Sequence, residues 1–173
     1  MFRIIRLCAL AAILAGLLRA AASFIPETVP GIFALYFLID LFLLGGVIGL
    51  YLFSVTAGKI LGRLGFVLMC VALLILIARD VGVVTPNAYA SAAALFSLGL
   101  DLFAIQALRT KKIPVWIPVT WILSTIVGPV GFFMPTLHFL FPISGLLFGV
   151  AFMGAGLVMW RCKLSATFDD QET

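Results

Sequence analysis

Charge is what this chain has least of: Asp, Glu, Lys and Arg make up 10% of its 173 residues, where soluble domains carry about 25%. Too few ionised groups are present to cover a water-facing surface, which excludes a soluble multidomain enzyme and a disordered chain alike. Histidine occurs once and cysteine three times. Cys8, Cys70 and Cys162 are far apart, odd in number and outside any CxxC, so neither a disulfide framework nor a metal site is expected. One histidine cannot ligate two haems, and no cofactor is expected. The net charge of +4 comes from basic residues placed singly or in pairs at the ends of apolar runs. No basic patch interleaved with aromatics exists to bind nucleic acid.

What fills the space is hydrocarbon: 64% of residues are apolar and the mean hydropathy is +1.28. Crossing a ~30 Å hydrocarbon core takes about 20 apolar residues. The charge, Pro and Gly breaks mark six such segments, at about 4–25, 31–56, 61–84, 88–109, 114–134 and 137–160, followed by a polar tail, 161–173. The expected partner is the lipid bilayer. Pro26-Glu27-Thr28-Val29-Pro30, Thr85-Pro86-Asn87 and Met134-Pro135-Thr136 are short turns leading into antiparallel neighbours. Nine of the eleven basic residues fall at the opposite helix ends, leaving Arg19 and Arg79 toward the turns. The positive-inside rule then predicts both termini in the cytoplasm, in the plasma (inner) membrane. Residues 1–22 also have a signal-peptide pattern, with Arg3, Arg6, an apolar run and Ala20-Ala21-Ala22, but Arg19 beside the cleavage site favours a retained first helix. Cys162, just past a helix end, is an acylation candidate.

Aligning Pro26, Pro86 and Pro135 brings an internal repeat into register. Twenty-three positions upstream lie Arg3, Arg63 and Lys112, and seven upstream lie Arg19, Arg79 and Gly128. Fourteen downstream lie Asp40 and Gly149, and fifteen downstream lies Asp101. The predicted fold is therefore all-α: a six-helix transmembrane bundle of three similar two-helix hairpins, 1–56, 57–109 and 110–160, forming a parallel pseudo-threefold repeat about the membrane normal.

Hairpins one and two carry an Arg and an Asp where hairpin three has Gly128 and Gly149. An isolated charge in the bilayer costs several kcal/mol, so joint loss predicts physical pairing of Arg19 with Asp40 and of Arg79 with Asp101. Such pairs either fix helix register or form a polar site for an anion, a proton or a headgroup. Asp80 is placed to compete for Arg79. Two intramembrane acids bear on aspartyl intramembrane proteolysis, but the GxGD string is absent and each acid has an expected arginine. Ser144 with His138 has no surrounding hydrolase motif, so no catalytic residue is assigned. Gly128 and Pro129, within Val127-Gly128-Pro129-Val130-Gly131, are hinge candidates, since proline removes a backbone donor. Gly45, Gly46 and Gly49, with Gly145 and Gly149, give small-residue faces for helices of this chain, of a second copy in a homo-oligomer, or of another membrane protein. The leading functional reading is a non-enzymatic assembly or interaction component. The alternative is a small-solute or proton-coupled transporter or permeation subunit using the Arg–Asp pairs.

Overall fold

A computed structural model describes residues 2–26, 28–53, 60–85 and 88–169, with side chains from Arg3 to Arg161. Glu27, Lys59 and Pro86, and the side chains of Cys162 and Lys163, lie outside the described residues. Six helices follow one another: α1 Phe2–Ala22, α2 Ile32–Leu52, α3 Ile60–Asp80, α4 Ala88–Thr110, α5 Trp116–Phe133 and α6 Leu140–Asp169, with a 3-10 turn at Pro135–Leu137 before the last. All six are long and apolar enough to cross a membrane. Their outward stripes are hydrocarbon, as in Leu7, Leu10, Leu14 and Leu17 on α1 and Leu64, Val67, Val71 and Leu74 on α3, all exposed. Lipid is the solvent that such a surface suits. The chain is a polytopic integral membrane protein.

Local chemistry sets the ends. Gly31, at φ 85°, turns the chain into α2. The expected third segment reaches 84, but α3 stops at Asp80 because Gly82, at φ 78°, takes the left-handed position. There Val83 N–H donates to Ala78 O at 2.8 Å and Gly82 N–H to Arg79 O at 2.9 Å, the double bond of a Schellman cap. Lys111, at φ 53°, closes α4 in the same region. In contrast, α6 continues past the expected end at 160 to Asp169, since no Gly or Pro follows Gly156 to stop it.

Arg6 lies over the Trp160 ring at 5.8 Å, which brings the start of α1 beside the end of the sixth span. The end carrying these groups is called proximal below, and the end carrying the 23–31, 81–87 and 134–139 connections distal. Around the bundle each helix touches its sequence neighbours, and α6 closes on α1. The α6–α1 and α3–α4 seams are the most extensive, and α2–α3 and α4–α5 the sparsest. Glycine explains the tight ones. A Cβ on Gly16 would stand 2.3 Å from Gly149 O, and one on Gly65 2.6 Å from Gly99 O, so the backbones themselves are in contact there. The three joints between expected hairpins are thus not alike, and the structure does not show threefold equivalence.

The centre is filled by Ala9, Ala12 and Ala15 of α1 against larger groups from elsewhere, among them Ile39, Leu73, Phe103, Trp121, Phe152 and Met159, all at most 1% exposed. A run of ring contacts links α4, α5 and α6: Phe96 to Phe148 at 5.8 Å, Phe148 to Phe152 at 4.7 Å, Phe152 to Trp121 at 5.3 Å and Trp121 to Phe103 at 6.3 Å. These spacings suit tilted and edge-to-face packing.

Candidate functional site

Two polar loci interrupt the hydrocarbon, one at each sparse seam. The distal locus gathers Arg19 of α1, Asp40 of α2 and Arg79 with Asp80 of α3. Arg79 Nε donates to Asp80 Oδ1 at 2.9 Å, and Nη2 closes an ion pair with the same oxygen. The Schellman cap at Gly82 fixes this last turn of α3. Asp80's side chain is 0% exposed and Arg79's 14%. The guanidinium is also flanked by rings from two other helices, 4.8 Å from Tyr89 and 5.9 Å from Phe33, within cation–π range. Asp80 Oδ2 is buried with no hydrogen-bond partner among the described residues. A pocket of about 300 Å³ opens at the α2–α3 seam, lined by Phe33, Arg79, Asp80 and Gly82. Asp40, half-buried and eight residues into α2, lies within electrostatic reach of Asp80, Arg19 and Arg79. Arg19 packs toward α6, its Nε 3.9 Å from the position a Gly145 Cβ would take.

The second locus is Asp101. It sits 13 residues after Ala88 and nine before Thr110, about 20 and 14 Å from the two ends of α4 at 1.5 Å per residue, and so near mid-depth. Thr125 Oγ1 of α5 is 2.7 Å from its Oδ1 and 2.8 Å from Ile122 O. The hydroxyl has one proton for those two acceptors. Asp101 and Thr125 are both half-buried, on the shoulders of their helices beside exposed Leu98 and Ile126.

The pairing read from the sequence differs from this arrangement. Arg79 pairs with its neighbour Asp80, not with Asp101, and Asp101 meets Thr125 instead. Depth is the reason: Arg79 is one residue from the distal end of α3, whereas Asp101 is some 20 Å in from the distal end of α4, beyond the reach of an arginine side chain. Arg19 and Asp40 share the distal half, yet Arg79–Asp80 is the one ion pair among the described residues. Gly128 and Pro129 lie within α5, which is helical throughout, and a Gly128 Cβ would stand 2.8 Å from Ser144 Oγ. Cys8 and Cys70 are half-buried free thiols. His138 is exposed in the distal connection, stacked on Phe141 at 6.2 Å. No group of three His, Cys, Asp or Glu gathers among the described residues.

Asp80 was legible from its adjacency to Arg79 as a competitor for that guanidinium, and the ion pair bears this out; other members carried little signal. Thr125 had none beyond being a hydroxyl in an apolar run, and Phe33 and Tyr89 are indistinguishable by type from other aromatics at helix ends. Two further groups, Gln106 Nε2 and Trp121 Nε1, are buried donors on the inner faces of α4 and α5 without a partner among the described residues. Comparison with family models, with curated proteins and with solved structures finds no match to this chain.

Proposed function

We propose that this chain is a non-enzymatic assembly component, descended from three similar hairpins and lying in the plasma (inner) membrane with both termini cytoplasmic, and that Asp101 is where it recruits a partner helix. The observation that carries this reading is Asp101 itself. It is a mid-depth acid at a sparse seam, part-exposed, with a hydroxyl for company and no cation paired with it among the described residues. Insertion scales put such a group at roughly 3 kcal/mol unfavourable, so a counter-charge from outside the bundle is stabilising. Pro129 strengthens the case, because it has no N–H to offer the Thr125 carbonyl four residues back. Around Asp101 the Thr125 hydroxyl faces two acceptors with one proton, so the locus has more acceptors than donors. Its complement is a transmembrane helix with a lysine or arginine at mid-depth.

A second copy does not supply that group from its described residues, since Arg19 and Arg79 lie near the distal helix ends and the other described basic residues at the proximal end. The small-residue faces are occupied within the chain: Gly46 by Ala12, Gly49 by Cys8, Gly149 by Gly16 and Gly156 by Ala9 and Ile13. A lysine scan tests the proposal. Leu/Ala transmembrane peptides with one lysine at successive depths are titrated into vesicles holding the labelled protein. Energy transfer should peak with the lysine at the centre and fall when it moves two turns toward either end. A flat profile sinks the reading.

The pocket favours a second reading, transport of a small solute. Both polar loci bridge the sparse seams flanking α3–α4, so that hairpin is the natural moving unit, with Gly128–Pro129 as a hinge in the helix it leans on. A cysteine cross-link between α2 and α3 should then abolish solute flux in proteoliposomes while leaving lysine-peptide binding intact.

A further inference from the structure

We propose that the distal pocket binds a zwitterion whose ammonium and phosphate are separated by a short linker, the phosphoethanolamine group being the type. The inference is independent of Asp101 and of partner recruitment. It starts from an imbalance in an otherwise neutral site. Arg79 and Asp80 cancel in charge, so a pure anion meets the Asp80 carboxylate and a pure cation meets the Arg79 guanidinium. Only a ligand with both signs is matched.

The hydrogen bonds point the same way. Arg79 uses Nε and Nη2 on Asp80 Oδ1, so Nη1 is left for an external acceptor among the described residues. Asp80 Oδ2 is a wholly buried acceptor that no donor meets among the described residues. Buried acceptors of this kind are rare and unfavourable, and a donor that reaches one gains more than it would in water. Oδ2 is closed off by its surroundings, whereas the guanidinium is part-exposed at the pocket wall. An outward swing of Arg79 serves both needs. It carries the guanidinium to the phosphate, and it leaves the carboxylate to the incoming ammonium. One internal ion pair is exchanged for two with the ligand, and charge balance is kept. About 300 Å³ is room for the group. Phe33, in the pocket wall and 62% exposed, and Val83, next in sequence to Gly82 of the wall and 76% exposed, offer apolar surface at the distal helix ends, as a lipid-borne headgroup needs.

The chemistry makes a sharp distinction. An ethanolamine ammonium has three N–H donors for Asp80, while a choline ammonium has none and a glycerol headgroup has no cation. Purified protein is mixed with equimolar dihexanoyl phosphatidylethanolamine, phosphatidylcholine and phosphatidylglycerol, and retained lipid is read by native mass spectrometry. The ethanolamine lipid should be held at least tenfold better than either competitor. Asp80→Asn should abolish the preference of ethanolamine over choline, and Arg79→Gln should weaken all three. The wild-type ranking needs no variant to fold. Equal retention of ethanolamine and choline lipids, or a preference for glycerol, overturns the proposal. Soluble O-phosphoethanolamine is the other arm: competition by it assigns the site to a free zwitterion, and failure to compete alongside ethanolamine-lipid retention assigns it to a headgroup.

Discussion

At the scale of single residues, the acids of this protein divide by depth and by company. The Asp80 side chain is fully buried yet paired with the residue before it, so its burial depends on the Arg79 guanidinium. Removing one member of a buried pair typically costs about 3–5 kcal/mol, and replacing both costs much less. Arg79→Gln or Asp80→Asn alone should therefore lower the thermal midpoint of the purified protein sharply, and the double variant should regain most of the loss. If the double variant melts no higher than the worse single, the pair is not the stabilising unit. The sequence made the four intramembrane charges legible as a group, because a charge in an apolar run stands out. Which of two acids, Asp80 or Asp101, Arg79 meets was legible only as a competition. Arg79 and Asp80 are neighbours at a helix end, and the side-chain direction that joins them depends on Gly82, whose left-handed turn the apolar pattern does not reveal.

Helices meet here through glycine, and the contact distances say which glycines matter. Gly149→Ala would force a Cβ to 2.4 Å from Gly16 O, backbone against backbone, whereas Gly45→Ala meets only the Ala11 methyl at 3.1 Å. Overpacking of the first kind costs about 1–3 kcal/mol. Unfolding in mild detergent should accordingly show Gly149→Ala clearly destabilised and Gly45→Ala near wild type; equal effects would mean the α6–α1 crossing is not as close as described. Gly82→Ala tests a different property, since its neighbourhood is open and only its φ of 78° forbids a side chain. A loss of roughly 1 kcal/mol is expected, read as a lower midpoint. The six spans were readable because 18 or more apolar residues between Pro, Gly and charge have few other uses. Seam tightness was not, because a glycine in a membrane helix looks the same whether it faces lipid, a neighbour's backbone or a side chain such as Ser144.

Taken whole, the molecule is a ring of six helices with four firmer seams and two sparse ones, and the Arg79–Asp80 and Asp101–Thr125 pairs sit at the sparse ones. Sidedness rests on the basic residues: reporters fused after Lys111 and after Lys163 should both be cytoplasmic, and one fused after Glu27 external. The reverse pattern would invert the protein and put the phosphoethanolamine pocket on the inner leaflet. The expectation of equal hairpins was drawn from proline spacing, which fixes where helices turn but not how closely they approach. The central claim, that the mid-depth carboxylate of Asp101 draws in a cationic helix, is tested most directly by a two-by-two binding measurement in vesicles. Peptides with lysine or leucine at the centre are titrated against wild type and Asp101→Asn, with energy transfer as the readout. The lysine peptide should bind wild type at least tenfold more tightly than the leucine peptide does, and Asp101→Asn should bind both alike at the weaker level. Equal affinity of the two peptides for wild type, or a lysine preference that survives in Asp101→Asn, would contradict it.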